Sequence, residues 1–268
     1  MWGIQKNMKE IDKKIILKTE GLTKHYGGVR ALDNADFTLK NGEHIAIVGD
    51  NGAGKSTFIR QITGVEIPTS GKIYFDGNLV NFKTPSDAKN AGIEAVYQNL
   101  ALADDLDVPS NIFLGQEKIY FNLGPFSFLN AKKMYDESID VLSKTGIKIP
   151  NINMAMSKMS GGQRQCVAIS RSAGFASKLI IMDEPTAALG VQETEQVENI
   201  IKNLKDRGIP LIMISHNLRQ VFDLVDKIWV FRQGKIVGSV DTVTTNSNEI
   251  VSLITGVKQK VGEEASFI

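Results

Sequence analysis

The 268-residue chain has one cysteine, so no intrachain disulfide can form and a reducing compartment is the expected setting. That residue, Cys166, has no companion for a metal site and reads as a packed helix residue. An excess of either charge is also missing. Lys and Arg number 31 and Asp and Glu number 30, for a formal net charge of +1. This balance argues against a protein that holds nucleic acid mainly by neutralising phosphates. Long apolar runs are absent: "LIIM" and "PLIMI" are far too short to span a bilayer. The opening residues, MWGIQKNMKEIDKKIILK, carry charge where a signal peptide needs a continuous apolar stretch. A soluble protein is expected, with any membrane connection made through a partner. Internal repeats and low-complexity tracts are missing too. What remains, 42% hydrophobic and 23% charged, is ordinary for a chain able to bury a core.

After a polar arm, residues 15–49 alternate short apolar and polar runs broken at Gly27-Gly28 and Asn41-Gly42, which predicts three strands joined by tight turns. "GKIYFDGNLVNF" predicts a hairpin turning at Asp76-Gly77. From Thr84 to about Lys158 the pattern is more helical and irregular, a plausible helical insertion. It includes a helix with Met134, Ile139 and Leu142 on one side, and the stretch "IYFNLGPFSFL", Ile119 to Leu129, unusually apolar and aromatic for a loop. Such a stretch marks either an interface or packing within the insertion. Beyond Ser160, "KLIIMDEP" and "IPLIMISHN" are continuous apolar runs typical of buried parallel strands. Val197, Ile200, Ile201 and Leu204 form a helical stripe ended by Gly208 and Pro210, and Leu218, Val221, Phe222 and Val225 repeat the spacing. Alternating strands and helices predict an α/β fold with a mainly parallel sheet.

"GDNGAGKST" comprises Gly49, Asp50, Asn51, Gly52, Ala53, Gly54, Lys55, Ser56 and Thr57, and fits the P-loop pattern between a strand and a helix. Its glycines let backbone N–H groups wrap a phosphate chain. Lys55 would reach the β and γ phosphates, and the Ser56 hydroxyl would ligate Mg²⁺. "LIIMDEP" ends a buried strand in Asp183, suited to a metal role, and Glu184, suited to polarising a water. His216 ends another such strand and can orient that water. Gln98 follows a fourth apolar run, where its carbonyl can reach metal or water, or simply face solvent. Tyr26 can stack on a base or pack as a strand residue. Finally, "KMSGGQRQC" places Ser160, Gly161, Gly162 and Gln163 at a helix start, a second anion grip with no lysine.

Together these motifs resemble the ATP-binding cassette (ABC) ATPases over roughly residues 15–255. "GDNGAGKS" is similar to Walker A, "LIIMDE" to Walker B, and "MSGGQ" to the LSGGQ signature with Met159 in place of leucine. The resemblance implies a P-loop NTPase core with a mainly parallel sheet, an antiparallel β subdomain and an inserted helical subdomain at about 99–165. Residues 1–14 would be an arm and 256–268 a short tail. It implies ATP and Mg²⁺ as ligands, Tyr26 on the adenine, and Gly49 to Thr57 with Gln98 on the nucleotide. Ser56, Gln98 and Asp183 would lie near the metal, Glu184 would be the catalytic base and His216 the switch residue. Ser160 to Gln163 would act across a head-to-tail dimer, facing the γ-phosphate held by the other copy's Lys55. One departure stands out: the D-loop, usually SALD, reads "AALG", with Gly190 replacing the aspartate. That leaves open how tightly the two sites communicate.

"GDNGAGKSTFIRQITGV", "YQNLALADDLDVPSNIFLGQE" and "DEPTAALGVQET" are similar to cassettes of bacterial monosaccharide importers of the ribose, xylose, galactose and fructose types. The resemblance implies a peripheral subunit on the cytoplasmic face of the membrane. Its partners would be a second cassette, permease subunits and, indirectly, a periplasmic or surface sugar-binding protein, with no nucleic acid. An importer of another solute, an exporter, or a cassette acting on ribosomes or DNA are the alternatives.

Overall fold

The computed structural model describes residues 14–123, 126–147, 149–175 and 178–258. Two sheets carry the architecture. The first is antiparallel, in the order β2 (Val29–Lys40), β1 (Ile15–Tyr26), β4 (Ser70–Phe75), β5 (Asn78–Val80). Its expected turns fall at Gly27 and at Asp76-Gly77, where φ values of 57°, 50° and 81° place all three residues in the left-handed region. Such turns match the twist of a hairpin.

The second sheet has six strands in the order β12 (Lys235–Asp241), β11 (Lys227–Arg232), β3 (His44–Val48), β10 (Leu211–Ile214), β9 (Leu179–Asp183), β6 (Ile93–Val96). All neighbours are parallel except the edge strand β12. The central strands divide the core by their period of two. Ala46, Val48, Ile180, Met182, Leu211 and Met213 pack on the helical side, whereas Ile45, Ile47, Leu179, Ile181, Ile212 and Ile214 pack toward the antiparallel sheet. Burial on both faces explains why these strands read as unbroken apolar runs. Phe37, Phe58, Trp229 and Phe231 pack together on the antiparallel side, with ring centroids 4.7–5.5 Å apart.

Eight helices are described. α1 (Lys55–Ile62) follows β3, and α2 (Pro85–Ala91) precedes β6, starting at a capping box between Thr84 and Asp87. α3 (Val108–Ile112), α4 (Ala131–Thr145) and α5 (Gly161–Phe175) form the helical region. There the fully buried Asn111 amide donates to the carbonyls of Ala103, Leu106 and Asp107. α6 (Val191–Asp206) and α7 (Leu218–Leu224) alternate with the last parallel strands, and α8 (Ser247–Thr255) closes the described chain. In α6 the expected stripe of Val197, Ile200, Ile201 and Leu204 is buried. Among the described residues no helix is long and apolar enough to cross a membrane.

Two expectations need correction. In α4, Met134 and Leu142 are buried but Ile139 is 46% exposed. The buried face runs through Met134, Ser138, Val141, Leu142 and Thr145, because Ser138 and Thr145 bond their hydroxyls back to backbone carbonyls and so tolerate burial. The aromatic stretch is not a loop: β7 (Ile119–Leu123) and β8 (Phe126–Leu129) pair as an antiparallel hairpin. Ile119, Tyr120, Phe121, Phe128 and Leu129 are all more than two-fifths exposed, so packing within the helical region does not explain them.

Candidate functional site

Parallel pairing of β3, β10 and β9 brings their C-terminal ends to one sheet edge, where open α/β sheets bind ligands. The loop after β3, the carboxylates ending β9 and the histidine after β10 meet there. They line a cleft of about 350 Å³ with Asn51, Gly52, Ala53, Gly54, Lys55, Ser56, Thr57, Gln98, Asp183, Glu184 and His216 on its walls. Ala31 and Ile214 complete the lining. Neither carries a sequence signal, since each contributes by packing rather than by chemistry.

The loop is shaped by Gly54, the residue before α1. Its φ is 100°, and a β-carbon there would stand 2.7 Å from the Ala31 carbonyl oxygen. Only glycine satisfies both constraints. α1 then begins at Lys55 with no acidic residue in its first turn. Its first N–H groups and positive dipole end favour an anion. Lys55 is only 7% exposed, and its Nζ donates to the carbonyls of Gly49 at 2.6 Å and Asp50 at 2.9 Å. Burial pulls the ammonium below its ordinary 10.5, while Glu184, Asp183 and Asp50 hold it up.

Asp183 lies beside Ile214 in register, and burial raises its carboxyl above the usual value against the opposing charge of Lys55. Glu184 turns the chain out of the strand with φ 51°, a left-handed conformation that costs a non-glycine residue free energy. Its N–H is anchored on the Ile214 carbonyl at 3.0 Å. His216 Nε2 approaches Glu184 Oε1 at 3.2 Å, yet that oxygen is buried without a hydrogen bond. Burial raises the Glu184 carboxyl, and the neighbouring His216 opposes the shift. A carboxylate that lines the cleft and has a raised proton affinity is suited to take a proton from water.

The donor set fits a hard cation. Ser56, Gln98 and Asp183 present oxygens to one cleft. Among the described residues no three His, Cys, Asp or Glu side chains form a metal cluster.

Some expected residues lie elsewhere. Tyr26 is 43% exposed at the end of β1, hydrogen-bonded through its hydroxyl to Glu66, and does not line the cleft. Gly49 and Asp50 lie on the neighbouring side of the loop, in a recess shared with Ser215 and His216. Ser160, Gly161, Gly162 and Gln163 do not line the cleft either. They open α5 with a reciprocal cap, in which the Gln163 N–H donates to Ser160 Oγ at 3.2 Å and the Ser160 N–H to Gln163 Oε1 at 3.0 Å. This leaves the Ser160 O–H free to donate outward. Cys166 is buried, and burial pushes its thiol up to about 11.

A family profile described as ABC transporter matches residues 32–187, more than half of the chain. The chain is 44% identical to the fructose import ATP-binding protein FrcA of Rhizobium meliloti, over 91% of this chain and 95% of that protein. It is 42% identical to the xylose/arabinose import ATP-binding protein XylG of Sulfolobus acidocaldarius, over 93% of this chain and 98% of that one. Among solved structures, a nucleotide-free ATP-binding cassette from an ABC transporter superposes with a TM-score of 0.77 at 26% identity, covering 93% of this chain and all of that one.

Proposed function

The chain belongs to the ABC transporter family, and from that premise we propose that it hydrolyses ATP to drive import of a monosaccharide through a membrane permease. The observation that carries this reading is the convergence of Lys55, Asp183, Glu184 and His216 on one cleft at the sheet edge. Similarity along nearly the whole length of two sugar-import ATP-binding proteins supports the cargo class.

The nucleotide phosphates lie against the N–H groups of residues 51–57, with Lys55 on the β and γ oxygens. Tyr26 stacks on the adenine from the end of β1. Ser56, Gln98 and Asp183 would hold Mg²⁺, which would supply positive charge that offsets the charge of the phosphate chain. Glu184 accepts the proton of the attacking water, and the water oxygen bonds to the γ phosphorus as the bond to the ADP oxygen breaks. His216 orients that water and the γ-phosphate.

The signature turn, Ser160 to Gln163, serves a second copy. It stands outside this chain's own cleft while its hydroxyl, N–H groups and helix start form an anion grip. Two copies, head to tail, close over ATP and reopen after hydrolysis. The cassette comprises residues 15–255, with a helical subdomain at about 99–165. It lies peripherally on the cytoplasmic face, beneath a permease fed by a sugar-binding protein. Copurification tests the assignment. The chain is expected to capture a membrane permease and to hydrolyse ATP faster when sugar-loaded binding protein is added. Capture of ribosomes in place of a permease contradicts it.

A further inference from the structure

Gln165 is a polar residue buried to 8% exposure, and it faces neither solvent nor the cleft. Its side-chain amide donates to the Pro185 carbonyl at 3.0 Å. Pro185 directly follows Glu184, whose own N–H is fixed on the Ile214 carbonyl. The strained backbone of Glu184 is therefore held from two sides, by β10 and by α5. Gln165 also stands one helical turn after Gly161 and Gly162, so one side chain joins the signature turn to the loop that carries the catalytic carboxylate.

A second contact ties the same two segments. The Glu193 side chain on α6 fills the space beside Gly162 and over Gly190. A β-carbon on Gly162 would stand 2.7 Å from the Glu193 Cβ, and one on Gly190 would stand 2.6 Å from its Oε2. Gly162 is helical, so glycine is needed there for room, not for its conformation. The first turns of α5 thus touch the segment 185–193 at two points, through the Gln165 amide and the Glu193 side chain.

We propose that Gln165 is a positioning residue that locks the turn Ser160–Gly162 to the Glu184 loop and thereby transmits the state of one nucleotide site to the other. This rests on the reading that the turn completes the site of a second copy. Communication then needs no carboxylate at residue 190, because the link runs inside each chain through the Gln165 amide and the Glu193 wedge.

Gln165→Met removes the donor and keeps the side-chain length. The test is the ATP dependence of hydrolysis by the full chain, with thermal unfolding as a control for folding. The wild-type Hill coefficient is expected above 1, and that of Gln165→Met to fall to about 1, the value for uncoupled sites. ATP binding by each copy should be retained, which a general loss of structure would not allow. Glu193→Ala opens the second contact independently and should shift the coefficient the same way. A wild-type coefficient of 1, or an unchanged coefficient in both variants, overturns the assignment. The shared-site premise is checked apart: Glu184→Gln, with the link intact, should pair in ATP, and failure to pair tells against the premise itself.

Discussion

His216 Nε2 stands 3.2 Å from Glu184 Oε1, an oxygen buried with no hydrogen bond. Both side chains line the cleft, with the imidazole flanking one oxygen of the carboxylate. Glu184→Gln and His216→Ala should each lower turnover by about 10²- to 10³-fold, the range for losing a base or an oriented donor. Nucleotide binding should survive in both, since neither side chain belongs to the phosphate loop. Near-normal turnover in Glu184→Gln would show that the base lies elsewhere.

The pH profile follows from the same pair. Burial raises the Glu184 carboxyl above its ordinary 4.5, and a protonated glutamate cannot accept a proton from water. Activity should fall as pH drops through that raised value, so the acid limb of kcat/KM stands above 4.5. His216 lowers the Glu184 value, so the residual activity of His216→Ala should show an acid limb at still higher pH. A limb at or below 4.5 would contradict the assignment.

Gly54→Ala should damage both fold and site. Its β-carbon meets a backbone carbonyl at 2.7 Å and its φ is 100°, so nothing flexible can yield. A loss of about 1–3 kcal/mol is expected. Thermal unfolding and nucleotide binding read it directly.

The chemical side chains were legible in the sequence because each stands at a fixed offset from a buried strand. "IAIV", "LIIM" and "LIMI" are apolar throughout, and the residues after them mark the sheet edge. Contacts between elements were not legible. Nothing in "SGGQRQ" announces that Gln165 reaches the carbonyl of Pro185, or that Glu193 occupies the space beside Gly162. These depend on how α5 and α6 pack, not on local pattern. Ile139 faces outward because hydroxyl groups that satisfy themselves within a helix can take the buried face. The aromatic hairpin was hidden because a two-stranded ribbon lacks the buried face that gives most strands their pattern.

That hairpin carries its own prediction. Tyr120, Phe121 and Phe128 are 62%, 53% and 53% exposed, and the two phenylalanine rings pack tilted at 41° with centroids 5.2 Å apart. Replacing Tyr120, Phe121 and Phe128 by serine should leave hydrolysis by the isolated chain unchanged. It should weaken capture of the permease, measured by copurification from membranes. Undiminished capture would show that the hairpin takes no part in binding a permease.

The central claim, that each nucleotide is held by Lys55 of one copy and Ser160 of the other, is tested most directly by complementation. Lys55→Ala leaves the signature turn intact, and Ser160→Arg leaves the phosphate loop intact. Each variant alone should be inactive. Mixed, they form pairs in which one complete site is assembled from the intact half of each copy, and hydrolysis should reappear. Two inactive variants that stay inactive when mixed, or a Ser160→Arg chain that hydrolyses normally by itself, would contradict the account.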